Sequence, residues 1–355
     1  MEQLSVRQRP VQSIQMKHHA EQRLLSKATD VVRVGGVDLA CRFLPRHVWD
    51  SPERSVFFDD PEKRNRVELE EHKHAQLSEQ TYPALLRELT SILRDPPSKY
   101  TYEELAQMRR AHEELKRGRS EQYIRLVEAP SVAGDVLIVP YAESHFGVGL
   151  IRERNLQLPT ALELRSDHLL NNLAVRVAAV YEDGTNTFVE FHQRQKVLNS
   201  SYAEAWDVGA AGYIHAKKYP DPYYENPVSV WKAAEDEILD ELNAPDAAMP
   251  SRESYAFFGL GRNEETGQID ILGACFLSGR LQADRPPSAK VIAYDRCVLS
   301  PKDVVTFVIA KRRWIPTALM TLVLLLQARG FSRHSIENEF ARCGTKLSLA
   351  AWQNS

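Results

Sequence analysis

The hydrophobic rhythm of the chain changes near Arg165. Before that point the longest patterned stretch has helical spacing. Leu85, Leu86, Leu89, Ile92 and Leu93 form an apolar stripe over Pro83–Leu93, and Asp95-Pro96-Pro97 predicts its end. Thr101 and Glu104 then have the spacing of a capping box, with EELAQMRRAHEEL behind them. The region from Glu62 to about Tyr123 therefore reads as mostly helical. Upstream, VVRV and VDLACRFL flank Gly35-Gly36 and predict a hairpin over Asp30–Leu44. Asp135–Val139 is a short buried strand, leading into a loop that holds Ser144, His145, Gly147 and Gly149. Ser144 and His145 raise a Ser-His nucleophile system, against the plainer reading of a packed interdomain loop.

After Arg165 the pattern turns to short apolar or alternating runs. Leu173–Tyr181, Thr187–Val197, Trp206–Ile214, Ser254–Leu260, Ile269–Leu277 and Asp303–Ala310 read as strands. Val228–Leu242 and Pro316–Arg329 read as helices, the second apolar on every side and stopped by Gly330. Strands and helices in this order predict an α/β fold, a mixed sheet sandwiched between helices. The chain divides into a mostly helical α+β region over 1–165 and a second domain over 166–355.

Length supports that division, since 355 residues exceed one ordinary domain. A net charge of −3 offers no bulk attraction to nucleic acid. Ala318–Leu326 is too short to span a bilayer. Cys41, Cys275, Cys297 and Cys343 are widely spaced and lack a CxxC pair, so they read as reduced thiols in a cytoplasmic protein.

Candidate chemistry concentrates in WDVGAAGYIHA, KKYPDPYYENP and VSVWKAAEDEILDEL, spanning Trp206–Leu242. On the helix, Val230, Ala234, Ile238 and Leu242 share an apolar stripe, with Glu237, Asp240 and Glu241 beside it at i, i+3 and i+4. Three neighbouring carboxylates repel one another, and a hard divalent cation such as Mg²⁺ or Mn²⁺ would relieve that repulsion. A solvated acidic face is the competing reading.

WDVGAAGYI followed by AAEDEILDEL resembles the Nudix family signature, G-x5-E-x7-R-E-U-x-E-E-x-G-U, in the branch with a W-D-x-x-A-A-G opening that is similar to isopentenyl-diphosphate isomerase. Gly212 matches the first Gly, and Glu237, Asp240 and Glu241 match the last acidic positions. Asp236 replaces the family's Arg, Lys218 its first Glu and Asn243 its second Gly. An insertion over 219–227 separates the two halves of the motif. The resemblance implies a Nudix-like fold with Mg²⁺ or Mn²⁺ held by Glu237, Asp240 and Glu241, and with Glu237 and Glu241 as catalytic carboxylates. It places Arg194 and Lys196 near a small nucleotide-type substrate, and both could equally lie on the exposed side of a strand. Tyr219, Tyr223 and Tyr224 in the insertion are candidates for stacking on a base, or for packing on the surface.

The function so implied is metal-dependent hydrolysis of phosphoanhydride bonds in nucleoside diphosphate-linked compounds. An alternative is a catalytically impaired Nudix-fold nucleotide-binding or regulatory module, which Asp236 and Lys218 favour. Least supported is an isoprenoid diphosphate isomerase, because VLNSSYAEAWD carries Ser200 and Ser201 where that family has a Cys. The role of the N-terminal half stays open between shaping substrate access, forming a homodimer and a separate binding role.

Overall fold

The computed structural model describes residues 30–34, 37–44, 67–72, 81–117, 122–128, 130–133, 136–145, 147–148, 151, 158, 172–195, 202–216, 228–263, 268–282, 285–311, 313–344 and 347–348. Its elements are β1 (Asp30–Val34), β2 (Val37–Leu44), β3 (Val67–Glu71), α1 (Thr81–Arg94), α2 (Tyr102–Arg117), β4 (Gln122–Leu126), β5 (Ser131–Ala133), β6 (Val136–His145), β7 (Leu173–Asp183), β8 (Asn186–Arg194), β9 (Trp206–Val208), β10 (Ala210–Tyr213), α3 (Val230–Leu242), β11 (Tyr255–Asn263), β12 (Ile269–Phe276), β13 (Val291–Val298), α4 (Pro301–Ala310), α5 (Pro316–Ala328), α6 (Arg333–Arg342) and β14 (Leu347–Ser348).

Among the described residues the larger sheet runs β13-β8-β7-β12-β11-β2-β1-β14, with β10 also paired to β7 and β9 to β8. β7 and β12 are parallel and the other pairs antiparallel, so the sheet is mixed. Strand alternation builds a core on each face. Val175, Val177, Ala179 and Tyr181 of β7 pack on the side of α3, while Ala178 and Val180 face α5. α5 is buried almost all round, as its uniformly apolar sequence predicts. Past its end Gly330 takes φ +85°, and the Phe331 N–H reaches back to the Leu326 carbonyl. The result is a mixed sheet sandwiched between helices, the α/β class expected. Among the described residues no helix is long and apolar enough to cross a membrane.

A smaller sheet, β3-β6-β4 with β5 on β6, belongs to the N-terminal region. It joins the larger one through β4: the Ile124 N–H donates to the Ile214 carbonyl, whose own N–H donates to Leu173. The boundary expected at 165/166 lies outside the described residues.

Several elements differ from the sequence reading. Residues 303–310 are not a strand but lie in α4. Ser300 accepts the Asp303 N–H at 3.1 Å and Pro301 occupies the first turn, while Val304, Val305 and Val308 line one buried face. The cap and the 3.6-residue period outweigh the β-branched composition. The stretch from Glu62 to Tyr123 holds α1 and α2, as expected, but β3 precedes them and β4 begins at its end, each paired with β6. The loop expected after Val139 is instead strand as far as His145. Ser144 and His145 therefore point to opposite faces, which removes the Ser-His nucleophile; the His145 ring lies 4.6 Å from Tyr82. At α2 the capping box forms as read, with Thr101 and Glu104 exchanging hydrogen bonds of 2.7 and 3.2 Å.

Candidate functional site

The site is built around α3. Ser229 caps it by accepting the Lys232 N–H, and Val230, Ala233, Ala234, Ile238 and Leu242 bury its apolar stripe. At the other end Asn243 adopts the left-handed conformation (φ 47°, ψ 44°), which Asn tolerates in place of the Gly of the resembled motif. The last carbonyls are met from outside: Arg285 Nε donates to Leu242 and the Tyr294 hydroxyl to Glu241, at 2.8 and 2.9 Å. The helix end is thus held by β13 and the segment just before it.

The three carboxylates of α3 take three different environments. Glu241 is buried and accepts the Ala211 N–H at 2.8 Å through Oε2. Glu237 lies against β10, its carboxylate occupying the space that a Cβ on Gly212 would take. Asp240 is exposed, and Lys290 bridges it to Glu237, with Nζ 2.5 Å from Asp240 and 3.2 Å from Glu237. Burial pushes the Glu237 carboxyl up to about 7; Glu241 adds to the rise and Lys290 opposes it. Burial works against the Lys290 ammonium, yet Glu237, Glu241 and Asp240 overcome it and raise its pKa above the ordinary lysine value.

Two arginines stand beside these acids. Arg176 of β7 is fully buried, ion-paired with Asp207 and donating from Nε to Asp270 at 2.9 Å. Thr317 of α5 also donates to Asp270. Burial works against the Arg176 charge, but the two aspartates more than offset it. Arg194 of β8 is different. Its terminal nitrogens stand 3.8 Å from Asp207 and 3.9 Å from Glu241, beyond hydrogen-bond length, and its Nε has no hydrogen-bond partner among the described residues. Buried His192 donates from Nδ1 to the Gly209 carbonyl at 2.9 Å, leaving Nε2 3.7 Å from Glu241. His192 Nε2, Asp207 Oδ2 and Glu241 Oε1 are likewise buried without a hydrogen-bond partner among the described residues.

These groups open on a cavity of about 200 Å³ lined by Arg176, Arg194, Glu237, Glu241 and Lys290. Tyr123, Tyr213, His215 and Gln268 close its other walls. The volume is below the roughly 300–1,000 Å³ of common small-molecule pockets, so a nucleotide-sized ligand would extend beyond its mouth.

Of the residues expected from sequence, Glu237, Glu241 and Arg194 come together in this cavity. Asp240 stays outside, turned to solvent and Lys290. Lys196, Tyr219, Tyr223 and Tyr224, as well as Lys218, lie outside the described residues. Arg176, His192, Lys290, Tyr123, Tyr213 and His215 were not singled out. Arg176 had a readable signal, a lone arginine in the apolar run LAVRVAAVY. The others had none.

The acids that the Nudix resemblance assigns to a divalent metal already have cations beside them. An ammonium already neutralises Glu237 and Asp240, a guanidinium borders Glu241, and among the described residues no three His, Cys, Asp or Glu side chains converge as metal ligands.

No family model matches the chain, and no curated protein matches it. Solved structures similar to part of it include the following two. One is the Nudix domain of Shewanella oneidensis NrtR complexed with ADP ribose, at 13% identity and TM-score 0.31, covering 44% of this chain and 86% of that one. The other is a C. elegans Ap4A hydrolase binary complex, at 14% identity and TM-score 0.27, covering 45% of this chain and 99% of that one.

Proposed function

We propose that this chain is a Nudix-like module that binds a small phosphate-bearing, nucleotide-type ligand, with Lys290 standing where a metal ion would otherwise balance the acids of α3. The observation that carries this reading is Arg194. A guanidinium on the wall of a cavity, without a hydrogen bond among the described residues, has donors to offer a phosphate or diphosphate group. Lys290 adds a second positive charge on the same wall.

Hydrolysis of a phosphoanhydride is the second reading, and one observation favours it. Glu241 Oε1 is a buried carboxylate oxygen lacking a hydrogen bond among the described residues, beside a Glu237 carboxyl pushed up to about 7. The test is calorimetric titration of pyrophosphate and of Mn²⁺ into the wild type, Arg194→Ala and Glu241→Gln. The binding reading expects metal-free pyrophosphate binding that Arg194→Ala weakens about 10- to 100-fold, and no Mn²⁺ uptake. Mn²⁺ uptake that Glu241→Gln abolishes, together with phosphate release from a nucleoside diphosphate derivative, would replace it with the hydrolase.

A further inference from the structure

We propose that the N-terminal region completes the cavity with a ring-binding wall, in which Tyr123, Tyr213 and His215 take the planar base of a nucleotide whose phosphates lie at Arg194. This rests on the anion-binding reading of the cavity and adds the part of the ligand that the cations cannot recognise.

Tyr123 belongs to β4, in the smaller sheet, yet it lines the same cavity as Arg194 and Lys290. It is brought there by backbone pairing across the seam between the sheets. Tyr123 and His215 form an antiparallel bridge, and the adjacent Ile124 N–H donates to Ile214 at 3.1 Å. Ile124 and Ile214 turn into the core, while Tyr123, Tyr213 and His215 remain half-buried on the cavity side. The Tyr123 and His215 rings are 4.6 Å apart and tilted by 37°, and Tyr213 meets Tyr123 edge-on at 5.3 Å. Rings grouped on the wall of a polar cavity that also holds Arg194 and Lys290 offer π-surface beside cationic groups. That combination recognises nucleotides with little regard to base identity.

The test measures binding of ADP, pyrophosphate and adenosine to the full chain by calorimetry, in the wild type, Tyr123→Ala and Tyr123→Phe. ADP should bind roughly 5- to 150-fold more tightly than pyrophosphate, the range expected for stacking one base. Tyr123→Ala should erase that difference and leave pyrophosphate affinity unchanged, whereas Tyr123→Phe should keep it. If Tyr123→Ala fails to fold, His215→Ala should lessen the same preference. Equal affinity for ADP and pyrophosphate, or an equal loss of both in Tyr123→Ala, overturns the ring wall and leaves the anion site standing. Adenosine binding that depends on Tyr123, without pyrophosphate binding, supports the ring wall and overturns the anion site instead. Binding of none of the three overturns both.

Discussion

Arg176 and Arg194 line one cavity from adjacent strands, and their surroundings differ. Arg176 is buried and held by Asp207 and Asp270, with Asp270 tied in turn to α5 through Thr317. Arg194 stands 3.8 Å from the same Asp207 and makes no hydrogen bond among the described residues. A buried guanidinium with its partners in place is part of the framework, and removing one partner strands a charge in a low-dielectric interior. A half-satisfied guanidinium at a cavity wall contributes little to the framework and retains its capacity for an anion. The contrast teaches that the sign of a charge does not reveal its role. The state of its hydrogen bonds does.

The largest effect should come from breaking the satisfied cluster. Asp207→Ala leaves Arg176 short of a partner and should cost about 3–5 kcal/mol of stability, read from chemical denaturation. A cost near zero would mean that Arg176 is not a structural charge.

Next is the pH profile of Glu237. Its folded pKa is about 7 against an ordinary value of 4.5, so the folded protein holds a proton that the unfolded chain releases. Proton binding is greater in the folded state across that window, so this group makes stability fall as pH rises from about 4.5 to about 7. The full drop is about 3 kcal/mol. Glu237→Gln should lack this part of the slope in urea denaturation, and parallel profiles for the two proteins would contradict it.

Arg194→Ala should behave opposite to Asp207→Ala. Stability should fall by less than for Asp207→Ala, since Arg194 makes no hydrogen bond among the described residues and its ion pairs are long. Pyrophosphate binding should weaken about 10- to 100-fold, the worth of a charged hydrogen bond. A stability loss comparable to that of Asp207→Ala would erase the distinction between the two arginines. The smallest effect belongs to Asp240→Asn. Its carboxylate is 56% exposed, and its Lys290 pair should contribute only about 0–1 kcal/mol in thermal denaturation.

Much of the helical framework was legible. The capping box at Thr101, the apolar stripe of α3 and the stop at Gly330 depend on contacts within a few residues of one another. α6 was legible too, though not read: Ser332 accepts the Ser335 N–H, and Ile336 and Phe340 repeat at i and i+4. α4 misled because VVTFVI has strand composition, while the decisive cap sits just upstream at Ser300. The candidate site was legible only along α3. Glu237, Asp240 and Glu241 look equivalent on a helical wheel, but the approach of β10 buries Glu241 and leaves Asp240 in solvent.

By itself the sequence determined the local elements, the α/β class and the concentration of acids on one helix, because periodicity and caps act over a turn or a pleat. The tertiary structure decided what those acids face. Lys290 reaches Glu237 across 53 residues of chain, and Tyr123 meets His215 from a different sheet. Such meetings depend on strand order and on which backbone groups pair across a seam, and a pattern within one segment does not encode the position of another. That is why three carboxylates that look alike in the sequence take three environments in the folded chain, Glu241 buried on Ala211 and Glu237 bridged by Lys290 to an exposed Asp240.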